Sequence, residues 1–339
     1  MRDMVSMDKK KIFFLTSSLS SFINQDIGIL KKYFDVRVLV VNQEIPDKKD
    51  PVSVVLFLYK LLRSVIWSDV IFCWFATNPA YLAVRLSRLF GKKSVVIIGG
   101  YEVANEPEIG YGALQDERIA SRVAYILANS DKIIAVSEFS KKEIGKITNP
   151  RTIQLLYNCV DTDKFHPGNQ KQDIIITICI VSDENLKRKG LITFIQAANI
   201  VADAEFVVIG KSIDGSIDYL RSIAPENIAF TGFIPDEELI DFLQKSKVYC
   251  QLSFYESFGV AVAESMACGC IPVITNRGAM HEITGDIGYQ VPYGDAAATA
   301  EAIKKALGSN DEGRARERIV ENFSSEKREE ELVELINNV

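Results

Sequence analysis

Two carboxylates and a basic run are the residues whose types and spacing could carry chemistry. The stretch Cys250–Thr275 reads CQLSFYESFGVAVAESMACGCIPVIT. Its apolar start, Val248–Phe254, predicts a buried strand, and Glu256-Ser257-Phe258-Gly259 a polar turn. Gly259–Ala267 predicts a helix that Gly269 ends, and Cys270–Thr275 a second strand. In a parallel sheet, a strand that feeds a helix through a short turn presents unpaired N–H groups and a positive dipole end at the crevice where ligands bind. That end suits a phosphate. Glu256 and Glu264 would repel a bare phosphate, so hydroxyls are their natural partners. A ligand carrying both a diphosphate and sugar rings meets both demands. Lys187-Arg188-Lys189-Gly190 falls between a predicted strand and helix and faces the same crevice, where its charge would stabilise a departing diphosphate. Taken singly, each of these acids and bases is also what a solvated turn or helix face would carry.

The elements that must position them alternate along the chain. Strands are predicted at Lys11–Thr16, Val36–Val41, Val70–Phe75, Ser94–Ile98, Lys132–Val136 and Thr152–Tyr157, with helices near Ser21–Tyr33, Val52–Trp67, Pro79–Phe90, Asp116–Ala128 and Ser137–Lys146. The second half repeats the alternation, with strands at Ile174–Val181, Glu205–Ile209, Ile228–Thr231, Val248–Phe254 and Cys270–Thr275. Its helices are expected at Gly190–Val201, Ser216–Ile223, Asp236–Lys245, Gly259–Ala267 and Ala296–Leu307. Strands alternating with helices imply right-handed crossovers and parallel sheets covered on both faces, an α/β protein of two Rossmann-like, doubly wound domains. Asn158–Gln172, polar and containing Pro167-Gly168, reads as the linker. The expected domains are 1–165 and 166–323. The last segment, 324–339, is an amphipathic, acidic helix.

A chain of 339 residues is long enough for two buried cores, and 47% hydrophobic with 25% charged residues describes a globular protein. A net charge of −6 argues against a nucleic-acid binder. The six cysteines (Cys73, Cys159, Cys179, Cys250, Cys268, Cys270) include no C-x-x-C pair and sit mostly in apolar runs, as buried thiols of a reducing compartment do. Cys268-Gly269-Cys270 lacks neighbours to complete a metal site. Lys9-Lys10-Lys11 before Ile12–Leu15 is too short a pattern for a signal peptide, and no apolar run is long enough to span a bilayer. A cytoplasmic protein is expected. Val52–Trp67 (VSVVLFLYKLLRSVIW) is strongly apolar, broken by Lys60 and Arg63. A crossover helix accounts for it, and peripheral contact with the inner face of a membrane is the alternative.

The twenty residues ESFGVAVAESMACGCIPVIT, with Glu256 and Glu264 in E-x7-E spacing, resemble the donor-site motif of the family 4 glycosyltransferases, which have the GT-B fold. Asn158–Pro167 resembles the family's NGVDxxxFxP segment, with Cys159 in place of Gly. Lys189-Gly190 resembles its KG motif, and Gly278-Ala279-Met280-His281-Glu282 its GG-x-x-E loop. The resemblance runs through most of the chain, strongly from about Lys132 onward. It implies two domains facing a central cleft, acceptor in the first and nucleotide sugar in the second, with the C-terminal helix packing back on the first. It also implies transfer of a hexose-type sugar from a nucleoside diphosphate sugar to a hydroxyl acceptor (a glycan, a lipid-linked molecule or a small molecule), with retention and without metal or cofactor. Glu256 would bind the sugar, with Lys189, as the catalytic pair. The N–H groups of Phe258, Gly259 and Val260 would meet the distal phosphate beside Arg188 and Lys189. Glu264 would hold the ribose, and the backbone at Phe233 and Ile234 would lie against the base.

The resemblance has departures. Asp183-Glu184 stands where many members have Arg. His281 replaces the usual Pro and is not expected to be catalytic. Asp161-Thr162-Asp163 spells D-x-D, but it lies in a linker, where no substrate diphosphate converges with it. The Gly-rich turn after the first strand is Thr16-Ser17-Ser18-Leu19-Ser20-Ser21 here. The two histidines, His166 and His281, both lie outside the N-terminal domain, where many members present one. Gly100, Tyr101, Glu102 and Asn78 are the candidates for contacting acceptor or transferred sugar. Two other functions share these features: a nucleotide-sugar-binding protein with little transfer, and a GT-B nucleotide-sugar epimerase. A dinucleotide-dependent dehydrogenase is a poor fit, because no G-x-G-x-x-G follows the first strand.

Overall fold

Runs rich in Ile, Val and Phe form twelve strands in a computed structural model that describes residues 9–41, 50–148 and 153–339. The first six are β1 (Lys11–Thr16), β2 (Asp35–Val40), β3 (Val70–Trp74), β4 (Lys93–Ile98), β5 (Lys132–Ala135) and β6 (Ile153–Leu155). They make one sheet in the order β2-β1-β3-β4-β5-β6. The other six are β7 (Gln172–Ile178), β8 (Glu205–Ile209), β9 (Ile228–Gly232), β10 (Ser246–Gln251), β11 (Ile271–Thr275) and β12 (Tyr289–Val291). Their order is β12-β11-β10-β7-β8-β9. Every pairing is parallel. Helices cover both faces of the sheets, so interior strands are buried: all five residues of β3 and of β11 are.

The strand orders locate the ligand crevices. Strand order reverses between β1 and β3 in the first sheet and between β7 and β10 in the second, and open α/β sheets bind ligands outside the carboxyl ends at such points.

The chain divides into two compact units. One comprises Met1–Asn105, Gly112–Leu156 and Arg328–Val339; the other Glu106–Tyr111 and Tyr157–Lys327. The division falls at Leu156, ahead of the expected 165/166 boundary, because Val160 already donates its N–H to Phe323 O (2.8 Å) and so belongs with the second unit. Each unit has its own apolar core, one around Phe13, Ile71, Val96 and Ile133, the other around Ile175, Phe206, Val248 and Val273. All six cysteines are free thiols, five of them buried.

Predicted and observed elements agree closely, with instructive exceptions. The first residue of the predicted strand Thr152–Tyr157 lies outside the described residues. Elements that the sequence reading did not name include the helices Asp183–Arg188, Met280–Thr284 and Glu312–Phe323 and the three-residue strand β12. The helix Ser325–Asn337 closes the chain. Its Arg328, fully buried, meets Asp26 through Nε and Nη2 at 2.6 and 2.8 Å, and Asp26 also accepts from Trp74 Nε1 at 2.8 Å.

Candidate functional site

β10 ends at Gln251, three residues short of the predicted Phe254, and a loop then carries the chain to the helix Val260–Ala267. That loop is shaped by close backbone approaches. Gly278 (φ +67°) passes so near that a Cβ there would lie 2.5 Å from Glu256 O, and Ala279 N–H donates to the same carbonyl at 2.9 Å. Gly190 (φ +66°) sits against Leu252, where a Cβ would fall 2.2 Å from the carbonyl oxygen. Phe254 N–H donates to Arg188 O at 2.8 Å, which ties the loop to the basic segment.

These constraints bring the sequence-predicted pair together. Lys189 Nζ donates to Glu256 Oε2 at 2.5 Å, with both side chains largely buried. Burial works against the Glu256 charge, but Lys189, with Arg188 and Ser253, outweighs it and holds the carboxyl below its ordinary range. Sequence reasoning missed what lies behind Glu256. Tyr249 OH donates to Gln251 (2.6 Å), Gln251 Nε2 to Ser253 Oγ (2.7 Å), and Ser253 Oγ to Glu256 (3.4 Å). Gln251 and Ser253, polar residues inside an apolar run, were the available signal. A buried polar chain of this kind fixes the orientation of the group at its end.

Lys187–Gly190 was expected in an open turn and is instead the end of a helix. Ser182 caps Asp183–Arg188 by accepting from Asn185 N–H, and Asp183 and Glu184 occupy its first turn, where acids complement the dipole. Asp183 and Glu184 are thus helix-start residues. Lys189 is the C-terminal cap and Gly190 supplies the left-handed turn. Arg188 is held by Asn185 Oδ1 (3.0 and 2.6 Å) and Glu184 (3.3 Å), and its guanidinium lies 4.9 Å from the Tyr111 ring centroid.

Glu264 stands apart from that pair on the helix Val260–Ala267, whose N-terminal cap is Gly259 (φ +107°). Phe258 is buried just ahead of it. Glu264 makes no side-chain hydrogen bond among the described residues, and burial pushes its carboxyl up to about 7 despite Lys164. Phe233 is 76% exposed beside Ile234 in the turn after β9. Asp161 accepts from the N–H groups of Asp163 and Lys164 (3.2 and 2.9 Å), so its carboxylate closes a local turn. Exposed His281 meets Gly278 O (3.1 Å). Arg277, also exposed, stacks on Phe254 with its guanidinium 3.9 Å from the ring centroid.

In the first unit, Asn78, Tyr101 and Glu102 line a cavity of about 230 Å³ with Ser17, Ser18 and Phe75, outside the ends of β1, β3 and β4. Its wall is strained: Phe75 has φ +74°, and a Cβ on Gly99 would meet the Phe75 ring at 2.4 Å. Glu102 is buried and accepts from the N–H groups of Ala76, Gly99 and Gly100 (3.2, 3.1 and 2.8 Å). Burial still raises its carboxyl above the ordinary range. Tyr101 is exposed, and Asn78 Oδ1 accepts from Arg122. Gly100 opens the short turn carrying Tyr101 with φ +122°. Among the described residues, no group of three or more His, Cys, Asp or Glu converges as a cation site.

Residues 162–325 match the family model for glycosyl transferases group 1. The N-acetyl-alpha-D-glucosaminyl L-malate synthase of Bacillus anthracis is 28% identical over 282 residues, 76% of this chain and 72% of that protein. The phosphatidylinositol N-acetylglucosaminyltransferase GPI3 subunit of Saccharomyces cerevisiae is 26% identical over 192 residues, 51% of this chain. The match spans less than half of that yeast protein, 42% of its length. Among solved structures, Anabaena Alr3699/HepE in complex with UDP superposes with a TM-score of 0.76 at 15% identity, covering 97% of this chain and all of that one. The fold is GT-B.

Proposed function

We propose that this chain, whose residues 162–325 match the group 1 glycosyl transferases, moves a hexose-type sugar from a nucleoside diphosphate sugar to a hydroxyl acceptor, with retention and without a metal ion. The observation that carries the reading is the 2.5 Å Lys189–Glu256 pair at the switch point of the second sheet, one loop away from a helix N-terminus. The N–H groups of Phe258, Gly259 and Val260 receive the distal phosphate, and Lys189 and Arg188 balance the charge that grows there as the glycosidic bond breaks. Glu256, ionised and oriented by the Tyr249–Gln251–Ser253 chain, takes hydroxyls of the transferred sugar. Glu264, whose carboxyl makes no side-chain hydrogen bond among the described residues, takes the ribose hydroxyls, and the backbone at Phe233 and Ile234 lies against the base.

In this reading the bond from the anomeric carbon to the diphosphate oxygen breaks. The acceptor oxygen bonds to the same face, and its proton goes to the leaving phosphate. The acceptor is bound by the first unit, at the cavity of Asn78, Tyr101 and Glu102 beside Gly100, with Tyr101 making the contact and Glu102 holding the wall. The UDP bound to HepE supports a uridine nucleotide as the first to try.

A thermal-shift panel of UDP, GDP, ADP and TDP and their sugars, without metal, tests the donor half. At about a hundredfold its dissociation constant a ligand adds roughly 2.7 kcal/mol. One selective nucleotide is expected, with its shift lost in Glu264→Ala. A flat panel, or a shift unchanged in the variant, counts against the assignment.

A further inference from the structure

The helix Pro51–Trp67 is apolar on two opposite faces and the first unit covers only one of them. Phe57, Leu61 and Val65, four residues apart, are buried in the core. The other face repeats at helical spacing through Val52 (65% exposed), Val55 (64%), Leu56 (51%), Tyr59 (59%), Leu62 (38%) and Ile66 (51%). A helix hydrophobic all round belongs in a core or against lipid, and six large apolar groups on one stripe exceed scattered surface exposure.

The charges on this helix have one sign. The helix carries no acidic residue; its charges are Lys60 and Arg63. Asp50 ahead of it accepts from Val52 and Ser53 N–H, and Asp69 beyond it accepts from Lys11 N–H. Arg37 of β2 lies with its guanidinium 3.8 Å from the Trp67 ring centroid. Arg37 and Arg63 line one open hollow together with Tyr59, Leu62, Ile66 and Trp67, and neither arginine meets a carboxylate among the described residues. Guanidinium groups set among apolar and aromatic side chains match a phosphate headgroup above acyl chains.

We propose that this face docks the protein on an anionic bilayer, with Val52, Val55, Leu56, Tyr59, Leu62 and Ile66 entering the headgroup boundary and Arg37, Lys60 and Arg63 meeting lipid phosphates. Complementary charge selects the bilayer over a second copy of the chain: a two-fold contact would set the same unpaired cations against one another. The docking does not rest on the donor chemistry proposed above, and a failure of either leaves the other standing.

Flotation of the full chain with phosphatidylglycerol–phosphatidylcholine vesicles, and with phosphatidylcholine alone, is the test. Binding is expected to the anionic vesicles only and to weaken with salt. Replacing both Arg37 and Arg63 by Gln should weaken it about thirtyfold, roughly fivefold for each cation. Leu56→Gln with Ile66→Gln should abolish it while leaving the melting temperature unchanged, since both side chains already face water. Brominated phosphatidylglycerol should quench Trp67 in the wild type, a signal that Trp67→Phe removes. Equal binding to both vesicle types, no flotation, or a dimer that the Leu56→Gln, Ile66→Gln protein cannot form would each overturn the proposal.

Discussion

Glu256 and Glu264 lie eight residues apart on one loop and helix, yet their surroundings push their carboxyls in opposite directions. Burial opposes ionisation at both; Lys189 at 2.5 Å reverses the balance for Glu256 and nothing comparable does so for Glu264. In the unliganded protein Glu264 therefore titrates near pH 7. As the folded value is raised, the stability linked to this group is fully present below the ordinary carboxylate range and is lost as the pH rises through about 7. Glu264→Gln is expected to melt higher than the wild type above that pH and alike below about pH 4. Ribose hydroxyls would favour the carboxylate, so nucleotide binding should release part of a proton at neutral pH and strengthen as the pH rises. Calorimetric titrations in two buffers of different ionisation enthalpy would read that proton; equal heats, or a proton still released by Glu264→Gln, would remove Glu264 from the ribose role. Glu256→Gln should instead lower turnover, by about 10²–10³-fold if its hydrogen bonds tighten in the transition state, with nucleotide affinity within a few-fold.

At the level of elements, Gly190 shows how local geometry sets the site. It holds a left-handed conformation against Leu252 immediately after Lys189, so Gly190→Ala should cost about 2 kcal/mol or more and displace the Lys189 amine from Glu256. A lowered melting point with normal transfer would show the lysine to be dispensable there. Arg328 and Asp26 make a buried pair, and Arg328→Ala should cost about 3–5 kcal/mol by leaving Asp26 uncompensated. Replacing both residues by apolar ones should restore much of that loss. Elements with strong periods were legible in the sequence: Lys11–Thr16, Glu205–Ile209 and Ala296–Leu307 have the observed bounds. The helix Asp183–Arg188 was not, because its start signal, Ser182-Asp183-Glu184, stands where a strand-to-helix turn was expected. The loop residues Glu256 and Lys189 could be singled out by type and spacing, but the Tyr249–Gln251–Ser253 chain depends on alternate side chains of a strand read as uniformly apolar. The cavity of the first unit was less legible still, since its wall is drawn from turns after three strands and from a strained Phe75 that no local pattern announces.

For the whole molecule, the two sheets come with two separate apolar cores, and every residue proposed to bind the donor belongs to the second unit while Asp26 and Arg328 belong to the first. Chains with two cores often depart from two-state unfolding. A nucleotide at about a hundredfold its dissociation constant should raise the transition of the second unit by about 5–10 °C, given that 1 kcal/mol moves a domain of 150–250 residues by roughly 2–4 °C. Arg328→Ala should lower the other transition and leave the nucleotide-dependent one in place. Scanning calorimetry of wild type and variant, each with and without nucleotide, separates these effects. If both perturbations move a single sharp peak, the units unfold as one and the donor residues draw stability from the whole chain. If the peaks move independently, donor binding is a property of the Tyr157–Lys327 core, which is the part of the chain where the group 1 match lies.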